Sequence, residues 1–188
     1  MLKIIKFWWN EAKWAYENDP SCKSVWQAFF LFPGLKARRY HMLSHWFYQR
    51  NFYFISRYIS ERASRKTGIE IHPGAKLGKH LFIDHGTGVV IGETVVIGDR
   101  VTIFHGVTLG GTGKTKGVKR HPTVEDDVII GAGATILGDV TLHRKSKIGA
   151  GAVVLKSVPE NVTAVGIPAV FYSQKEIPNE VVPIEWTI

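Results

Sequence analysis

Cysteine is almost missing from this chain. One residue, Cys22, in 188 excludes an intrachain disulfide and any cysteine-clustered zinc site, and it fits a reducing compartment, so the expected location is the cytoplasm. Long apolar runs are missing too. The stretch from Ile4 to Trp9 is interrupted by Lys6 and followed by Asn10 and Glu11, and nothing approaches the roughly 20 apolar residues that span a bilayer. Neither a signal peptide nor a membrane-spanning helix is read. Acid is scarce relative to base: 16 Asp and Glu against 24 Lys and Arg give a formal net charge of +8. That balance implies an anionic partner, which could be nucleic acid, a membrane surface or a polyphosphate cofactor. The basic clusters (Lys114, Lys116, Lys119 and Arg120; Arg144, Lys145 and Lys147) lack the interleaved aromatics of a nucleic-acid surface, and no nucleic-acid partner is expected.

What the chain has in quantity is a count of six. Ile71, Leu77 and Ile83 start it; after a slip of two residues it resumes at Ile91, Ile97, Ile103 and Leu109; after a longer break it runs through Val124, Ile130, Ile136, Leu142, Ile148 and Val154. Four residues after most of these stands a small or β-branched side chain, among them Ala75, Thr87, Val95, Val101, Val107, Val128, Ala134, Val140, Ser146 and Ala152. Glycine often follows the aliphatic position, as at Gly78, Gly92, Gly98, Gly110, Gly131 and Gly149. An amphipathic helix needs apolar spacings of three and four and a half-buried strand needs two, so a sustained six fits neither. It describes short strands and corners stacked coil upon coil, a parallel β-helix with the aliphatics inward. The length suits one such unit with an appendage: an N-terminal helical domain over 1–68, a β-helix over 69–170 with an inserted loop at 110–123, and a tail over 171–188.

Residues 3–66 lack the six-fold count and read as helices separated by breakers. Asp19-Pro20 pairs an N-cap acceptor with a proline suited to the first turn, so a helix is expected from there to about Leu31, ended by Pro33-Gly34. Further helices are expected over 35–48 and 52–65, closing at Thr67-Gly68. Their many aromatics, Trp8, Trp9, Trp14, Trp26 and Trp46 among them, are expected to pack against neighbouring helices or another subunit rather than a membrane surface. In the coils, two departures from the period ask for a reason. One is Asp84-His85-Gly86-Thr87-Gly88, where an acid and a histidine replace glycine and filler. The other is the glycine- and lysine-rich insertion from Gly110 to Thr123, whose spacing is not that of a P-loop and which reads as a lid over an anionic ligand.

Taken in order, Glu70-Ile71-His72-Pro73, Asp84-His85-Gly86-Thr87-Gly88, Gly92-Glu93-Thr94, Val107 to Lys114, and Arg120-His121-Pro122 resemble the motifs of the serine O-acetyltransferases, within the hexapeptide acyltransferases. The resemblance runs from Asp19 to about Ala169. It implies a left-handed β-helix preceded by an α-helical domain, assembled as a homotrimer or a dimer of trimers. The implied activity is acetyl transfer from acetyl-CoA to the hydroxyl of L-serine, giving O-acetylserine, the first step of cysteine biosynthesis. An alcohol is a poor nucleophile at neutral pH, and His85 is the candidate general base. The resemblance places the acid that orients it at Glu70, where aspartate is expected in many members. It places Asp19 and Asp84 near the substrate amine, Arg120 and His121 near its carboxylate, and Gly111, Thr112, Ala132 and Lys147 along acetyl-CoA. No covalent acyl-enzyme is suggested, since Cys22 lies far upstream and no serine or cysteine adjoins His85. Direct transfer in a ternary complex is the expectation.

Alternatives stay open at this point. A sugar acetyltransferase of the same architecture would use His85 without the amino-acid contacts. Hexapeptide carbonic anhydrases bind zinc through three histidines, and His72, His85, His105 and His121 supply the number, although their surrounding motifs differ and no metal is expected. His105 stands where the resemblance leads one to expect glutamine. A trimeric scaffold is the non-enzymatic reading: the chain ends Glu185-Trp186-Thr187-Ile188, and a terminal isoleucine is what the family inserts into O-acetylserine sulfhydrylase. L-Cysteine is expected to compete at the serine pocket.

Overall fold

A computed structural model describes residues 2–113, 115 and 117–173. The six-residue count becomes a parallel β-solenoid with three faces. One face is the sheet β1 (Ile69–Ile71), β4 (Val89–Ile91), β7 (Thr108–Gly110), β10 (Thr135–Leu137) and β13 (Val153–Val154). The second is β2 (Lys76–Leu77), β5 (Val96–Ile97), β8 (Thr123–Val124) and β11 (Thr141–Leu142). The third is β3 (Phe82–Ile83), β6 (Thr102–Ile103), β9 (Ile129–Ile130), β12 (Lys147–Ile148), β14 (Val162–Val165) and β15 (Val170–Ser173). All pairings are parallel except β14 with β15, which folds the chain back antiparallel and takes the first residues after the coils into the sheet.

The counted aliphatics lie in the strands and point inward: Ile103, Leu109, Ile130, Ile136, Leu142, Ile148 and Val154 are 0 % exposed. The small residues four places on fill the corners, and Ala75, Val95, Val101, Val107, Val128, Ala134 and Ala152 are likewise buried. Thr87 is the exception and is exposed. The turn after β3 is longer by the two residues of the slip, so Val89 takes the inward place that Thr87 was expected to hold.

Four helices precede the coils: α1 (Leu2–Asn18), α2 (Val25–Leu31), α3 (Pro33–Tyr48) and α4 (Tyr53–Thr67). The helix expected to open at Asp19-Pro20 begins five residues later. Ser24 is its N-cap, accepting from Gln27 N at 3.2 Å, while Gln27 Oε1 accepts from Lys23 N at 2.9 Å. That reciprocal pair outcompetes Asp19, whose Oδ1 accepts instead from Ser21 N at 2.8 Å in a side-chain-closed turn. Phe32 caps the end of α2 and the start of α3 at once, so Pro33 opens a helix as well as closing one. Gly68, in the left-handed conformation, ends α4 where expected.

The helices lie over the first coil and are fastened to it by polar contacts. Arg38 of α3 and Glu11 of α1 form an ion pair, 5 % and 2 % exposed. Arg38 also donates to the carbonyls of Leu81 and Gly78 at 3.2 and 3.0 Å, and Glu11 accepts from His80 N at 2.9 Å. Ser60 Oγ donates to Ile71 O at 2.8 Å, and His45 Nδ1 lies 2.6 Å from Pro73 O. Among the described residues no helix is long and apolar enough to cross a membrane.

Candidate active site

The solenoid has three edges, and the chemistry-bearing residues divide between two of them. Edge I joins the third face to the first and carries Asp84 to Gly88, then His105, then Ala132, one coil above another. The stacking shows in its backbone bonds: Gly106 N donates to Thr87 O at 2.9 Å, Gly133 N to His105 O at 2.8 Å, and Gly151 N to Ala132 O at 2.8 Å. Edge II joins the first face to the second and carries His72, Glu93, Thr94, the inserted loop, Arg120 and His121.

At edge I the longer turn pushes His85 out of the coil, with its side chain 76 % exposed. Its φ is +55°, whereas every other left-handed residue described at this edge is a glycine. Gly86 follows because a Cβ there would stand 2.4 Å from Ile69 Cδ1 and its φ is +78°. His85 Nε2 lies 3.8 Å from Asp84 Oδ2, in ion-pair range but too long for a hydrogen bond. Asp84 borders a cavity of about 150 Å³, roughly five times the ~30 Å³ a water occupies in the liquid. Asn18, Asp19, Pro20, Phe82 and Phe104 also line it. Burial raises the pKa of Asp84; His85 opposes that shift and the Asp19 carboxylate adds to it. Two acids thus face one small space, an arrangement that a bound cation would relieve. Asp19 reaches it because α1 ends at Asn18, whose Nδ2 donates back to Trp14 O at 2.8 Å, and because the buried Glu11 fixes α1 on the coil.

At edge II, His121 is only 7 % exposed. Its Nδ1 accepts from Thr94 N at 3.3 Å and lies 2.8 Å from Thr94 Oγ1, which assigns the proton to Nε2. Burial, then the Arg120 charge, lowers its pKa and favours the neutral ring. Nε2 faces Gly92 and Gly111, where added Cβ atoms would stand 2.3 and 2.8 Å away, so both glycines make room for the imidazole. Arg120 Nη2 donates to Glu93 Oε2 at 3.2 Å, and Tyr48 of α3 donates to Glu93 Oε1 at 3.1 Å. Burial alone would raise the pKa of Glu93, but Tyr48, His72 and Arg120 together hold it lowered.

The expected residues therefore assemble in two groups within one chain. Asp19, Asp84 and His85 meet at edge I, with Ala132 above them and Lys147 half-buried on the adjoining face in β12. Arg120, His121, Gly111 and Thr112 meet at edge II, where Thr112 N donates to Arg120 O at 3.2 Å. Glu70 is not brought to His85 inside the chain: it lies in β1 and takes a hydrogen bond from Arg57 Nη2 at 3.3 Å. Glu93, Thr94 and Tyr48 were assigned no role from the sequence, although Gly92-Glu93-Thr94 stood among its motifs; their carboxylate and hydroxyls organise Arg120 and His121. Lys114, Lys116 and the terminal Ile188 lie outside the described residues. No three metal-ligating side chains converge among those described.

Residues 121–156 match the family model for the bacterial transferase hexapeptide (six repeats). A serine acetyltransferase of Bacillus licheniformis is 56 % identical over 153 residues, covering 81 % of this chain and 70 % of the relative. The chain belongs to the serine acetyltransferases. That family is one of acyltransferases, and solved members share this chain's shape. Serine acetyltransferase from Brucella abortus, in complex with coenzyme A, superposes with a TM-score of 0.86 at 43 % identity, covering 91 % of this chain and 68 % of the other. The Neisseria gonorrhoeae enzyme in complex with serine gives 0.85 at 40 % identity, covering 92 % and 70 %. A further serine acetyltransferase, in complex with cysteine, gives 0.87 at 39 % identity, covering 91 % and 70 %.

Proposed function

We propose that this serine acetyltransferase moves acetyl from acetyl-CoA to the L-serine hydroxyl in one direct step, with His85 as general base, and so opens cysteine biosynthesis. The observation that carries the reading is the pair of carboxylates, Asp19 and Asp84, lining one small cavity beside an exposed imidazole. An ammonium bound between the acids sets a hydroxyl three bonds along the serine skeleton within reach of the base. His85 takes the hydroxyl proton as the oxygen attacks the thioester carbonyl, and when the bond to sulfur breaks it returns that proton to the departing thiolate, which leaves as CoA thiol. General-base help of this kind contributes roughly 100- to 10,000-fold.

The other half of the substrate needs cations, and these stand at edge II. Arg120 presents a planar fork suited to a carboxylate, steadied by Glu93, and neutral His121 offers an Nε2 proton. A homotrimer packed around an axis parallel to the solenoids would set edge I of one protomer against edge II of the next, closing the serine pocket and the acetyl-CoA groove together. In that assembly Gly111 and Thr112 would face Ala132 and Lys147 across the groove. L-Cysteine carries the same ammonium and carboxylate as serine, so the same pocket would hold it as a competitor. Docking of Ile188 into O-acetylserine sulfhydrylase belongs to the same proposal and is supported only by the sequence.

The test is steady-state release of CoA thiol with L-serine, homoserine, a simple sugar or no acceptor, for wild type and His85→Ala, beside sedimentation of the full chain. Serine-dependent release by a trimer or hexamer, reduced at least 100-fold in His85→Ala, is expected. Turnover with sugar but not serine would transfer the protein to the polysaccharide reading. Full activity in a monomer would overturn the shared site.

A further inference from the structure

We infer that His105 is a positioning residue for the base: its ring, one coil above, sets the plane of the His85 imidazole. This rests on His85 being the base. A general base must hold one nitrogen on a line with the hydroxyl it deprotonates, and the local chain does little to hold this one. The side chain is 76 % exposed, its backbone sits in the left-handed region, and Asp84 at 3.8 Å is too far to fix the ring by a hydrogen bond.

His105 supplies a contact that the turn itself lacks. The two rings lie edge to face, centroids 6.1 Å apart and planes 84° apart, within the range in which the positive rim of one ring meets the negative face of another. The stack of the coils places it there, since Gly106 N donates to Thr87 O at 2.9 Å and locks the two turns in register. His105 is exposed and contributes nothing to the core, so packing does not account for an aromatic ring at that corner. The corresponding positions of the next coils are Ala132 and Ala150, which offer no ring. Electrostatically the residue belongs to the same group, acting on Asp84 alongside His85 and Asp19.

The test compares His105→Gln, which removes the ring, with His105→Phe, which keeps the ring and removes the ionisable group. Both are made in the full chain, with His85→Ala as reference. His105→Gln is expected to lower kcat by roughly 3- to 10-fold, the range that an edge-to-face pair supports. Its KM values for serine and acetyl-CoA should stay within about 2-fold and its thermal midpoint should not move. His105→Phe should restore kcat to within about 2-fold of wild type. The Cε1 proton resonance of His85 should shift in the Gln variant and stay near its place in the Phe variant. Wild-type kcat in His105→Gln, or a Phe variant as slow as the Gln one, overturns the inference. So does a rise in KM at unchanged kcat, which would make His105 a substrate contact. If His85→Ala itself keeps wild-type kcat, the base assignment fails, an outcome distinct from an inactive His85→Ala beside a normal His105→Gln.

Discussion

The coils and the helices are held together in opposite ways. In the solenoid, Ile103, Leu109, Ile130, Ile136, Leu142 and Ile148 are each fully buried and each do the same work, one layer at a time. Stability there is close to a sum of equivalent layers and their nearest-neighbour contacts. The helices bury fewer large apolar side chains and leave Trp26, Trp46, Phe52 and Phe54 substantially exposed. Beside the apolar cluster that Phe82 of β3 shares with Trp8, Ala12 and Leu35, what ties them to the coil is a set of single polar links: Glu11 with His80, Arg38 with Leu81 and Gly78, Ser60 with Ile71, His45 with Pro73, Tyr48 with Glu93. A layer can be weakened without moving its neighbours, whereas a link, once lost, has no second copy. Because Asp19 arrives on the helical side and His85 on the coil, the site depends on both kinds of bond.

That contrast can be broken most directly at Glu11. Glu11→Ala leaves the Arg38 guanidinium buried without its partner, and a loss of about 3–5 kcal/mol is expected. It also frees α1, so the KM for serine should rise with little change in the KM for acetyl-CoA, read by urea unfolding and steady-state kinetics. Leu109→Ala should cost about 2–5 kcal/mol by the cavity it leaves, but with both KM values near wild type. Equal damage to serine KM from the two substitutions would abolish the distinction drawn above.

Acid should find the helices first. His41 of α3 is buried among Arg38, His45 and His72, and burial, chiefly, takes its pKa down to about 3. Below the ordinary value near 6.5 the unfolded chain takes up a proton that the folded one refuses, so stability falls as the pH drops from about 6.5 towards 3. The full effect is on the order of 5 kcal/mol, visible as a declining thermal midpoint. His41→Leu should flatten that decline.

Asp84 gives a kinetic counterpart on the coil. Its raised pKa means that the carboxylate proposed to hold the ammonium is lost above the usual acid range as the pH falls. Serine KM should climb severalfold on that limb while acetyl-CoA KM stays flat; a parallel rise in both would place Asp84 away from the amine. The smallest effect is expected at Arg57, whose bonds to Glu61 and Glu70 are half-exposed. Arg57→Ala should cost no more than about 1 kcal/mol, measured by the same unfolding, which would mark that pair as unlike the buried links.

Much of this was legible from spacing. The counted aliphatics fall in the strands, Gly68 stops α4, and the resemblance of Asp84-His85 and Arg120-His121 led to the family. The failures have physical causes. Asp19-Pro20 looked like a helix start because capping residues are locally sufficient for one, but Ser24 and Gln27 formed the better cap five residues on. Thr87 was counted inward because the slip was placed after it rather than through it. Glu11 and Arg38 gave no signal, since a charge on a helix is usually solvated and only the coil beneath buries these two.

The sequence by itself determined which side chains enter the core, because a period of six assigns a face to each position regardless of what lies above or below. It also determined the family, because its motifs stand in order along the chain. Only the tertiary structure decided that the site is divided between two edges, that Asp19 reaches Asp84, and that His105 stands over His85. Each of those depends on which corner stacks on which and on where the helices dock, and such contacts between residues distant in the chain exist only after the coils have closed into register.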